Sequence, residues 1–137
     1  MQLRLDAIPS WLDSETRALV RDKIEVLVRW HPDIVAIILY GSVARHEERP
    51  LDDPDPSDVD LLVVFDTEST KAIRSQQLAL FSTMAMAEKK HLKAPREVNV
   101  MFTTRTAHEW DEDFVENVKR DAIVLYHRGD LPEAFAA

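Results

Sequence analysis

Cysteine is absent from this chain, and with it go disulfides, thiolate zinc sites and cysteine nucleophiles, so any chemistry rests on oxygen and imidazole groups. Glycine is almost absent as well. Two occur in 137 residues, and Gly41 falls at the end of an apolar run, where a strand has to turn with no side chain in the way. No apolar run approaches the roughly 20 residues of a membrane span, and residues 1–9 lack the long apolar centre of a signal peptide. Together these predict a cytoplasmic protein with no membrane partner. Positive charge is in the minority: a formal net charge of -8 argues against a surface that grips nucleic acid directly, since phosphate contacts need clustered Lys and Arg. The acidity suits a basic partner or cations held by carboxylates, although solubility alone explains a charge of this size.

With 45% hydrophobic and 31% charged residues, the chain has enough for one ordinary core and no room for a second catalytic lobe. A single domain over 1–137 is expected, with a core over about 13–127 and a frayed tail over 128–137.

The most informative stretch covers residues 34–65. An apolar run, Ile34–Tyr40, reads as a strand covered on both faces and breaks at Gly41-Ser42. Residues 42–47 are expected to start a short helix, so that backbone N–H groups near Ser42 face outward as a phosphate-attracting terminus. A proline-rich acidic loop over 48–56 follows. It is no calcium loop, because the turn glycine and the closing glutamate of a twelve-residue frame are missing. A second strand, Val59–Phe65, comes next. Strand side chains alternate, so Asp58 and Asp60 project on one face, close enough to hold a divalent cation between them or to share two. The bland alternative is a tight turn at Gly41 and two aspartates capping a strand.

Elsewhere the pattern predicts a helix over Ser14–Trp30, capped by Asp13 or Ser14, with Val20, Ile24 and Leu27 on one stripe. Trp11 and Trp30, at its two ends, are expected to pack helix against sheet. Residues 70–91 are permissive for one helix with Ile73, Leu80, Met84 and Ala87 inward, and Met84 and Met86 are expected as core filler. Residues 96–102 alternate as a strand with Glu97, Asn99 and Met101 on one face. Thr106 and Glu109 form a capping-box pattern for a helix carrying Trp110, Phe114 and Val118, and residues 122–126 read as a last strand. The histidines His31, His46, His91, His108 and His127 show no metal spacing.

An apolar strand, Gly41-Ser42, a loop, and Asp58-Val59-Asp60 at the head of a second strand together resemble the nucleotidyltransferase superfamily of the DNA polymerase beta type. The sequence Gly41-Ser42-Val43-Ala44-Arg45 and the ending Ile123-Val124-Leu125-Tyr126 look most like its minimal nucleotidyltransferase (MNT) branch. The resemblance implies an α/β (α+β) nucleotidyltransferase fold, a small mixed sheet flanked by helices. It implies that Gly41 and Ser42 hold the triphosphate of ATP or another nucleoside triphosphate, with Arg45 as a further phosphate contact, and that Asp58 and Asp60 bind two Mg2+ ions. The family's third carboxylate falls on Asn99, a neutral oxygen donor that cannot act as a base. Glu97, on the same strand face, is the substitute candidate for the catalytic carboxylate set, unless it pairs with a surface cation. Enzymes of this branch are often antitoxins paired with HEPN-domain RNase toxins, some of them adenylylating a toxin tyrosine, and the resemblance implies that activity and partner here. The alternatives are an inactive relative that neutralises its toxin by contact, and a nucleotide-binding regulatory domain.

Overall fold

The structure is a computed structural model that describes residues 2–67, 69–105 and 112–129. Its centre is a five-stranded mixed sheet in the order β1-β5-β2-β3-β4, formed by β1 (Gln2–Leu3), β2 (Ile34–Tyr40), β3 (Val59–Phe65), β4 (Val98–Thr104) and β5 (Ile123–His127). β3 and β4 are parallel, and the remaining pairs are antiparallel. The helices are α1 (Ser14–Trp30), α2 (Thr70–Ser75), α3 (Gln77–Lys90) and α4 (Glu112–Asp121). None among the described residues is long and apolar enough to cross a membrane.

The alternation expected of β3 is what divides the molecule. Val59, Leu61, Val63 and Phe65 bury against Ile24 and Leu27 of α1 and Leu80 and Met84 of α3. Leu62 and Val64 face the other way, toward Val118 of α4 and Val35, Ala36 and Ile38 of β2. A bulge between Ile34 and Ala36 shifts the inward parity of β2 by one. Helix α1 keeps its expected bounds because the Asp13 carboxylate accepts the Thr16 N–H at 2.8 Å, satisfying one donor of the first turn.

Several expectations change. The helix over 70–91 is two helices, broken at Gln76, whose side-chain amide donates to Asp33 Oδ2 at 2.9 Å. Met84 is buried, but Met86 lies two positions on, around the helix, and is 48% exposed. The strand expected at 96–102 starts at Val98, because Arg96 is buried and spends Nη1 on the Ser57 carbonyl at 2.7 Å. The last strand runs one residue later than expected. Trp30 is exposed beneath Arg29 instead of packing against the sheet. The capping box at 106–109, Trp110, His108 and the tail from 130 lie outside the described residues.

Candidate active site

The carboxylates gather where β2 ends. Asp60 stands second in β3, paired with Tyr40 across β2 and with Asn99 across β4. Asp58 precedes the strand by one residue. The Val59 N–H donates to the Glu97 carbonyl at 2.8 Å, so the β3–β4 pairing already begins beside Asp58. Asn99 turns its amide toward the pair, donating from Nδ2 to Asp58 Oδ2 at 2.9 Å.

Gly41 completes the arrangement from the β2 side. Its φ is +85°, and a Cβ added there would lie 2.6 Å from Asp60 Oδ2. The carboxylate therefore rests directly on a bare backbone that only glycine supplies without strain. Beyond it the chain makes hydrogen-bonded turns and not the expected short helix. Arg45 N–H donates to the Gly41 carbonyl at 3.2 Å, Glu47 N–H donates to the Ser42 carbonyl at 2.8 Å, and His46 ends the run at φ 58°. The N–H groups of Ser42, Val43 and Ala44 have no acceptor among the described residues. Successive N–H groups with no described acceptor, beside a positive-φ residue, are the kind of backbone that can hold an anion, as the expected helix start would also have done.

Electrostatically the site is acidic. Burial pushes the Asp60 carboxyl above the usual carboxylate range, the hydrogen bond from Asn99 opposes this, and the charge on Asp58 adds to the upward push. Tyr40 is pushed up to about 12 by burial and by Asp60. Its hydroxyl contacts Met101 Sδ at 3.2 Å, and its ring meets Phe114 edge-on at 5.6 Å. Neither Asp58 nor Asp60 forms an ion pair among the described residues. Two carboxylates on one sheet face, unneutralised and partly desolvated, suit a divalent cation, and Asn99 turned about its last torsion would present an oxygen to it.

The remaining sequence-named residues are placed as follows. Glu97 is exposed just before β4 and lines a cavity of about 360 Å³ with Lys23, Glu88 and His91. Among the described residues no three acids or histidines gather as a metal cluster, so Glu97 does not join Asp58 and Asp60 in one. Arg45 reaches back across the loop, from Nη1 to Asp121 Oδ2 at 2.6 Å and from Nε to Glu47 at 3.1 Å.

The profile of the family described as Polymerase beta, Nucleotidyltransferase matches residues 22–130. The chain belongs to this nucleotidyltransferase family. No curated protein matches it. Among the solved structures similar in fold are two toxin-antitoxin structures. A toxin-antitoxin with AMP-PNP is 19% identical, with a TM-score of 0.52 over 90% of this chain and 82% of that one. A mutant of the toxin-antitoxin MntA-HpeT is 18% identical, with a TM-score of 0.51 over 82% of this chain and 77% of that one.

Two parts of the candidate site carried no sequence signal. Trp11 donates from Nε1 to the Val43 carbonyl at 2.9 Å and stacks on His46 at 4.4 Å, so it pins the loop after Gly41 instead of packing helix to sheet. Asp121, at the end of α4, fixes Arg45. A lone tryptophan before a helix and an acid at a helix terminus look ordinary in sequence, and only the fold brings them to the loop.

Proposed function

We propose that this nucleotidyltransferase moves a nucleoside monophosphate, AMP from ATP, onto a hydroxyl of a partner protein in the cytoplasm, as an MNT-type antitoxin of a HEPN-domain RNase toxin. The observation that carries the transfer reading is the seating of the Asp60 carboxylate on Gly41, beside Asp58 and the three N–H groups with no described acceptor. In this reading the N–H groups of Ser42, Val43 and Ala44 cradle the triphosphate, with Arg45 Nη2 available to a phosphate oxygen. Asp58 and Asp60 would hold up to two magnesium ions, which supply positive charge for the reacting phosphate and the departing pyrophosphate. The protein's own contribution is positioning and a preorganised field. The toxin assignment draws on the two toxin-antitoxin structures of similar fold.

The test is transfer of label from ATP carrying a radioactive alpha-phosphate to a co-expressed HEPN protein. Asp58→Asn combined with Asp60→Asn should abolish both labelling and neutralisation. A second reading, neutralisation by contact alone, is favoured by Asn99 standing where the third carboxylate is expected and already bonded to Asp58. Under that reading the double variant still neutralises.

A further inference from the structure

Helix α3 carries apolar side chains on two sides. Leu80, Met84 and Ala87 turn inward and join the core around β3 and α1. The opposite side faces solvent, and as far as Ala87 its only polar exposed residues are Gln77 and Ser82. Leu78 and Phe81, 81% and 54% exposed, share a stripe with Ala85 at steps of three and four residues. Leu92, 85% exposed, follows just beyond the helix end. The outer side of α1 shows how a solvated helix looks in the same fold, since its exposed positions include Glu15, Arg21, Glu25 and Arg29. A helix that is apolar all round is normally enclosed, and large exposed side chains gathered on one stripe, unlike scattered ones, mark a contact surface.

The charge around this stripe narrows the choice of partner. Residues 69–93 carry five basic side chains, Lys71, Arg74, Lys89, Lys90 and Lys93, against one acid, Glu88, in a chain whose net charge is -8. All five are exposed and none forms an ion pair among the described residues, whereas Glu88 is held by Lys23 at 2.8 Å. Lys71 and Arg74 stand on α2, before the stripe, and Lys89, Lys90 and Lys93 stand at its far end, so the apolar surface is basic at both ends. A second copy of this chain, pairing through the same face, would set cations against cations whichever way the two helices ran. An anionic lipid surface would meet the cations, but the remainder of the chain is more acidic than the whole and is repelled by it. An acidic helix of another protein satisfies both the stripe and its ends, and the distance from Leu78 to Lys89, about 16 Å, gives it roughly three turns of contact. We propose that the outer face of α3 docks an amphipathic helix of a partner protein, its apolar side along Leu78, Phe81 and Ala85 and its Asp and Glu residues against the cations at the two ends. Helix α3 packs on the Val59 and Leu61 side of β3, away from Asp60, so the proposal does not depend on transfer chemistry.

The test titrates the full chain, labelled with nitrogen-15, with a synthetic amphipathic helical peptide that has leucines along one stripe and glutamates on its edges. The same peptide with lysines in place of the glutamates, and vesicles of phosphatidylglycerol, serve as comparisons. Saturable shifts of the α3 amides and of Leu92 and Lys93 are expected with the glutamate peptide, and weaker ones with the lysine peptide. Leu78→Gln combined with Phe81→Gln, two exposed positions whose folding shows in the same spectra, should weaken binding by about tenfold or more. Lys89→Gln with Lys90→Gln should act in the same direction. The Asp58→Asn, Asp60→Asn double variant should bind the peptide unchanged, so a failure here is separable from a failure of transfer. No saturable shift in α3, an equal response to the lysine peptide, or equal binding by the Leu78→Gln, Phe81→Gln variant overturns the docking surface. Tighter binding to the vesicles than to the glutamate peptide, or a dimer in sedimentation that the Leu78→Gln, Phe81→Gln variant abolishes, overturns the choice of occupant.

Discussion

Asp60 and Asp121 are both removed from water and approach the same loop, yet their surroundings push them in opposite directions. Burial raises both carboxyls. For Asp60 the hydrogen bond from Asn99 is too little to offset it, and Asp58 adds repulsion, so the group ends above the usual range. For Asp121 the hydrogen bonds and charges of Arg120 and Arg45 outweigh burial, so it ends below that range. Asp121 has its cations built in and fastens α4 to the 41–47 loop. Asp60 has none among the described residues. An acid that is desolvated without a cationic partner suits a place where charge is to be added, and one desolvated with two arginines marks architecture.

The largest expected effect tests the unpaired member. Replacing both site acids, Asp58→Asn with Asp60→Asn, should reduce label transfer by more than about a thousandfold, the equivalent of several kcal/mol of lost charge stabilisation. Urea unfolding of the same variant should show stability unchanged or slightly raised, because like-charge repulsion is relieved. The paired member should behave in reverse. Asp121→Ala should lower stability by about 1–2 kcal/mol in urea unfolding, a figure held down because both arginine partners keep contact with water. If the two variants exchanged these phenotypes, the distinction between added charge and architecture would collapse.

The sequence was legible where a residue's neighbours along the chain decide its state. The apolar run of β2, the alternation of β3 and the Asp13 cap of α1 are all local signals, and these elements fall where the pattern puts them. The contact of Gly41 with Asp60 follows from the pairing of Tyr40 with Asp60 at the end of β2. What was hidden is set by distant partners. Residues 42–47 have helix-compatible types, but Trp11, 32 positions away, holds the Val43 carbonyl, and His46 stacks on Trp11 in a left-handed conformation. The break at Gln76 is tied to Asp33, 43 positions away. Asp121 follows Arg120 at the end of a polar helix, a setting that in sequence reads as a solvated surface.

Gly41→Ala sharpens the comparison from the backbone side. A φ of +85° costs a residue with a Cβ about 1–2 kcal/mol, and the Cβ would meet Asp60 Oδ2 at 2.6 Å. The carboxylate is the movable party, so it swings away. Stability should fall by about that amount, and transfer should fall by more than the stability loss explains, since both acids would still be present but one would be misplaced. Labelling measured well below the melting temperature of the variant separates the two effects.

The smallest effect is the acid side of the stability curve. Asp121 is held below its ordinary pKa when folded, so the folded state binds its proton less readily than the unfolded chain does. Its stabilisation is therefore complete above the ordinary carboxylate pKa and is lost as pH falls toward the lower folded value. The stability difference between the natural chain and Asp121→Asn should accordingly be flat near neutrality and shrink below about pH 4. Asp60 has the opposite shift and contributes a slope of opposite sign, so the natural chain should gain stability relative to Asp60→Asn as pH falls, where it loses stability relative to Asp121→Asn. A parallel loss in both variants would mean that the two acids see the same field, and the Arg45 and Arg120 contacts would not be what sets Asp121 apart.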